Sequence, residues 1–106
     1  MNKTYIKLSM NGCAPCKMVA QFLENNGINQ DNIIEVTDSS VANDITQGKV
    51  EAGKLYNVLV DDYPEVAGHF EISSVPVIIE MTDGKETYRI GGFVPPYLEE
   101  VMKNLK

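Results

Sequence analysis

Cys13 and Cys16 are the only cysteines in the chain, and they stand where a strand-like pattern gives way to a helix-like one. Before them, residues 4–10 alternate, with Ile6, Leu8 and Met10 on one side and Tyr5 and Lys7 on the other, which is the period of a β-strand. After them, Met18, Val19, Phe22 and Leu23 form a stripe along residues 17–26, one face of an amphipathic helix. Asn11-Gly12 supplies a turn between the two, and Asn26-Gly27 supplies a helix stop. A helix beginning at the cysteines puts both sulfurs on one face, close enough to bond with little backbone movement. It also aims the unpaired N–H groups and positive dipole end of the helix at the thiols. That placement lowers a thiol pKa from about 8.5 toward roughly 7 and makes the nucleophilic thiolate available near neutral pH. Pro15 fits the first turn, where its missing N–H loses no bond.

The residues alone leave other readings open. The pair could be a structural disulfide, although so short a staple removes little unfolded-state entropy. It could be half of a zinc site, alone or shared between two chains, but one histidine and no second cysteine pair fall short of four ligands. It could be two unreactive cysteines at chance spacing, against which the strand–motif–helix context argues. Compartment bears on the choice. The first eight residues alternate instead of forming an apolar leader, and no apolar run approaches the roughly 20 residues of a membrane span. A cytoplasmic protein is therefore expected, where reducing pools disfavour idle disulfides. The net charge of −6 disfavours nucleic acid and anionic membrane surfaces as partners.

The chain of 106 residues is long enough for one domain. Residues 33–36 read as a short strand and 41–52 as a frayed helix, so that 27–54 forms a peripheral β/α insertion apart from the cysteines. The strand is expected to lie beside the one at 55–60, with the helix as a right-handed crossover. Asp61-Asp62-Tyr63-Pro64 turns into a short helix ending near Phe70, and residues 77–79 read as a buried strand. Asp83-Gly84 closes a hairpin whose second arm is 86–90, and Pro95-Pro96 opens a final helix carrying Leu98, Val101, Met102 and Leu105. The sum is an α/β fold, a mixed sheet with helices on both faces.

This order and these motifs resemble the thioredoxin superfamily. The match is carried by Cys13-Ala14-Pro15-Cys16-Lys17 after a strand, Val60-Asp61 closing the next core strand, residues 66–72, Ser74-Val75-Pro76, and Gly91-Gly92 after the hairpin. The resemblance covers about residues 3–23 and 55–106. It implies thiol–disulfide exchange in which Cys13 is the exposed attacker and Cys16 the buried resolving thiol. It implies a cis Val75–Pro76 bond beside the disulfide, with the Val75 main chain and the neighbouring Pro76 and Gly92 binding substrate. The implied partners are disulfide-containing proteins, with a thioredoxin reductase or glutathione as electron donor; no bound cofactor is implied. A non-catalytic binding module of the same fold is the rival reading.

The chain also departs from the family. Gly12 stands where thioredoxins usually carry tryptophan, and Cys13 comes too early for their first strand and helix, as in glutaredoxins. Gly91-Gly92-Phe93 is similar to glutaredoxin-type reductants of ribonucleotide reductase, whereas Pro15 argues against iron–sulfur binding. The family's buried acid is replaced by Lys7, and its core-strand lysine by Asn57. Alternation points Lys7 away from the Leu8 face, toward solvent. Of the remaining polar residues, His69 reads as structural or solvated, and Asp61, Asp62 and Glu65 as a capped helix start instead of a cation site. Lys17 reads as a minor electrostatic support for Cys13, and Tyr88 and Tyr97 as half-buried packing residues.

Overall fold

The computed structural model describes residues 2–105. Five strands and four helices follow one another as β1 (Lys3–Ser9), α1 (Ala14–Asn25), β2 (Ile33–Glu35), α2 (Ser39–Thr46), β3 (Leu55–Leu59), α3 (Pro64–His69), β4 (Val77–Thr82), β5 (Lys85–Gly91) and α4 (Pro95–Asn104). The strands form one sheet in the order β2-β3-β1-β4-β5. β1 sits at its centre, parallel to β3 and antiparallel to β4. β2 pairs in parallel with β3, Ile33 opposite Leu55, and β4 and β5 form the hairpin.

Alternation along β1 sends side chains into two separate cores. Ile6 and Leu8 join Val58, Val66, Ile79 and Ile45 on the face covered by α2 and α3, which pack on each other. Tyr5 joins Val19, Leu23, Leu55, Leu98 and Val101 on the face covered by α1 and α4. Each such side chain contributes about 1.5–3 kcal/mol on burial. Tyr5 is fully buried, and its hydroxyl accepts a hydrogen bond from the Asn104 side chain at 2.8 Å, tying the end of α4 to the central strand.

The insertion contains the expected strand next to β3, but α2 ends at Thr46 instead of running to Ala52. Asp38 caps its start by accepting from the backbone N–H groups of Ser40 and Val41. Its end is set by Gly48 at φ +75°, where a left-handed residue lets Lys49 N–H reach back to Asp44 O at 2.8 Å. Gly48 also meets the hairpin turn. A Cβ added to Gly48 would lie 2.5 Å from Gly84 O, and one added to Gly84, at φ +82°, would lie 2.6 Å from Gly48 O. Backbone thus docks on backbone where the insertion touches the hairpin. Tyr88 on the edge strand β5 is 48% exposed and packs on Tyr97, the half-buried packing role expected of it.

Candidate functional site

The site lies where β1 feeds α1. Cys13 is the N-cap of α1, with extended backbone angles, and its sulfur accepts the Cys16 N–H at 3.2 Å. Its own carbonyl takes the Lys17 N–H at 3.2 Å, the first bond of the helix. The loop before it is held by Asp61, whose carboxylate accepts the Asn11 N–H at 3.1 Å. Asp61 therefore anchors the approach to Cys13 and does not cap α3. The N-cap of α3 is Tyr63, with no side-chain hydrogen bond, which corrects the capped start expected of Asp61 and Asp62.

Cys13 and Cys16 are joined as a disulfide, with Cα atoms 5.3 Å apart. Cys13 is half-buried and Cys16 only 5% exposed, so Cys13 is the more accessible of the two. Opposite them, Val75–Pro76 is cis, and the Val75 carbonyl oxygen lies 3.9 Å from Cys13 Sγ. The loop is fixed from its other side by Gly92, which at φ +85° turns its N–H onto Pro76 O at 2.9 Å. No backbone group among the described residues bonds the Val75 N–H or carbonyl. Met10, Val60, Ile72 and Val75 line a shallow apolar groove beside the pair. Met10 and Met18, 43% and 47% exposed, extend the apolar surface around the motif.

Lys7 corrects the expectation of a solvent-facing side chain: it is 6% exposed. Pointing away from Leu8 means pointing into the second core layer, because α1 covers that face of the sheet. Its Nζ donates to Asn57 Oδ1 at 3.0 Å, and the Asn57 amide donates to the Glu35 carboxylate at 2.8 and 3.1 Å. Burial pushes the Lys7 amine below its ordinary pKa, opposed by the charge of Glu35. Sequence reasoning missed this residue. The available signal was its phase with Tyr5 and Ser9 on a strand expected to have helices on both faces.

The remaining candidates stand apart from the disulfide. His69 ends α3 with its ring edge-on to Phe70, beside a recess shared with Glu86 and Arg89 that includes neither cysteine. Tyr97 is partly buried and packs on Tyr5 and Tyr88. Lys17 is exposed on α1. Among the described residues, no cluster of three or more His, Cys, Asp or Glu is placed to hold a metal ion.

No family model matches the chain. It is 34% identical over 102 residues to the SPbeta prophage-derived thioredoxin-like protein YosR of Bacillus subtilis, covering 95% of this chain and 96% of that one. It is 34% identical over 83 residues to thioredoxin of Staphylococcus haemolyticus, covering 78% of this chain and 62% of the relative. Among solved structures, Fasciola hepatica thioredoxin superposes with a TM-score of 0.63 at 22% identity, covering 99% of this chain and 82% of the other. With a third of its residues shared with a thioredoxin-like protein along nearly the full length of both, the chain belongs to the thioredoxin superfamily, and its Cys13–Cys16 pair makes it a thiol–disulfide oxidoreductase.

Proposed function

We propose that the chain reduces disulfides in cytoplasmic partner proteins, with Cys13 as attacking and Cys16 as resolving thiol. The carrying observation is the unequal exposure of the two cysteines, with the Val75 carbonyl 3.9 Å from the sulfur of the more accessible one. Cys13 thiolate attacks one sulfur of the substrate disulfide, forming a mixed disulfide and expelling the other sulfur as a thiolate. Cys16 thiolate then attacks Cys13 Sγ. The Cys13–Cys16 bond forms, the bond to substrate breaks, and the electron pair leaves on the substrate sulfur. Two electrons pass from the dithiol to the substrate, and an external reductase restores the pair.

The free main-chain groups of Val75 support its pairing with an extended substrate segment, and the apolar groove beside it suits that segment's side chains. Gly92 contributes by fixing the Pro76 carbonyl. The thioredoxin relatives and the absence of an aromatic residue between the cysteines favour a thioredoxin reductase over glutathione as donor. Reduction of insulin disulfides, run once with thioredoxin reductase and NADPH and once with glutathione, tests the reading. Turnover in the first arm is expected, and Cys16→Ser should trap substrate on Cys13. No turnover in either arm, with no trapping, would leave a binding module with a passive disulfide.

A further inference from the structure

We propose that Lys7 holds Cys16 in its thiolate form during the resolving step. This deepens the reading of Cys16 as the resolving thiol and rests on it.

Lys7 and Cys16 line one crevice, Lys7 from the central strand and Cys16 from the first turn of α1. Ser9, Met10, Gly12, Lys17 and Asn57 are among the other lining residues. Lys7 spends one N–H on Asn57 Oδ1, and no other acceptor among the described residues takes its remaining two. Ser9, one β-repeat further along the same face, is 6% exposed, and its buried hydroxyl has no hydrogen-bond partner. A buried ammonium with open donors and a buried orphan hydroxyl therefore line one crevice with a cysteine whose sulfur must become an anion. Both are donor groups suited to a thiolate: the Ser9 hydroxyl has no partner, and Lys7 has N–H groups to spare beyond its bond to Asn57.

The charged surroundings of Lys7 are few. Glu35 on β2 reaches it through Asn57 on β3, and Glu24 of α1 lies across the adjoining cavity. Lys17 of α1 also lines the crevice. Glu35 favours the ammonium form, while burial disfavours it, so a new negative charge at Cys16 supplies the second counterion.

The step balances simply. The Cys16 thiol gives its proton to water, and the thiolate is held by the Lys7 ammonium and the Ser9 hydroxyl. Attack on Cys13 Sγ then forms Cys13–Cys16 and releases the substrate thiolate, which takes a proton from solvent. Oxidation of the pair removes the anion, so Lys7 is returned to its bond with Asn57.

The test uses Cys13→Ser protein, in which the serine keeps the N-cap and Cys16 is the only thiol. Thiolate absorbance near 240 nm against pH then reads the Cys16 pKa. A thiol as buried as Cys16 in an apolar site titrates above about 8.5; with Lys7 beside it a value at or below about 8.5 is expected. Adding Lys7→Met should raise that value by about one unit or more, tenfold less thiolate at pH 7, while Lys7→Arg should keep it low. A pKa well above 8.5 with Lys7 present would overturn the inference without any substitution at that site. So would an unchanged pKa in a Lys7→Met protein whose circular dichroism is native. Trapping of substrate by Cys16→Ser reports on Cys13 alone, so either failure leaves the resolving-thiol reading separately judged.

Discussion

Replacing Gly48 by alanine should destabilise the protein far more than the same change at Gly27, although both glycines follow a helix with positive φ. At Gly27, φ is +79° and an added Cβ meets nothing within 4 Å. Only the left-handed strain of an L-residue remains, about 1–2 kcal/mol, less about 0.4–1 kcal/mol regained because alanine restricts the unfolded chain. Gly27→Ala should therefore lie near 1 kcal/mol. At Gly48 the same strain applies at φ +75°, and the new methyl also sits 2.5 Å from Gly84 O. That neighbour is backbone in a two-residue hairpin turn with Asp83 at φ +53°, so it cannot swing aside as a side chain would. Forced overpacking adds about 1–3 kcal/mol, which puts Gly48→Ala near 2–4 kcal/mol in all. For a domain of this size the extra term alone corresponds to a fall in Tm of roughly 4–20 °C. Urea unfolding of the oxidised proteins, followed by far-ultraviolet circular dichroism because the chain has no tryptophan, measures the difference. Values for Gly48→Ala and Gly27→Ala within about 0.5 kcal/mol of each other, with equal m, would refute the close backbone contact.

Two further outcomes follow from the site and its supports. Burial would raise the Glu80 pKa, but hydrogen bonds from Lys3, Thr87 and Tyr5 and the charge of Lys3 outweigh it and hold the carboxyl below its ordinary value. A carboxyl depressed in the folded state contributes stability above its unfolded pKa of about 4.3 and loses it as pH falls through the folded value. Glu80→Gln should therefore be less stable than the parent by about 1 kcal/mol at pH 7, and the gap should close below about pH 4, read by urea unfolding across pH. The reduction potential should fall between about −200 and −270 mV, because Ala14-Pro15 places no charged or donor side chain between the cysteines to stabilise a thiolate strongly. Equilibration against glutathione buffers with thiol trapping gives the value; one more oxidising than about −150 mV would contradict a reductant.

The parts legible in the sequence were those where local chemistry and tertiary role coincide. A strand, a Gly-containing turn and a Cys-x-x-Cys helix start announce one another, and Asp83-Gly84 announces its hairpin. The cis Val75–Pro76 bond was implied by family resemblance alone and is present. What escaped depended on which layer covers which face. Lys7 is out of phase with Leu8, and on a one-sided sheet that would mean solvent; beneath α1 it means burial. The end of α2 is not legible because Lys49 and Ala52 continue a helical spacing that Gly48 interrupts. Within its own turn Asp61 reads as a helix cap, whereas its partner is the Asn11 N–H fifty positions away.

The position of β1 bears on how the chain assembles. The strand made before any of the others occupies the middle of the sheet, and its partners are Leu55–Leu59 and Val77–Thr82. Nothing nearby in sequence can satisfy it. On a ribosome adding about 5–20 residues per second, Tyr5, Ile6 and Leu8 wait several seconds before β4 emerges to cover their second edge. Through that interval α1 needs only local bonds, but the apolar strand before it has no native neighbour. Closing loops of this length slows folding, and the unpaired strand is a target for chaperones and for other nascent chains. The two thiols meet early and locally; the sheet that buries one of them and exposes the other closes late.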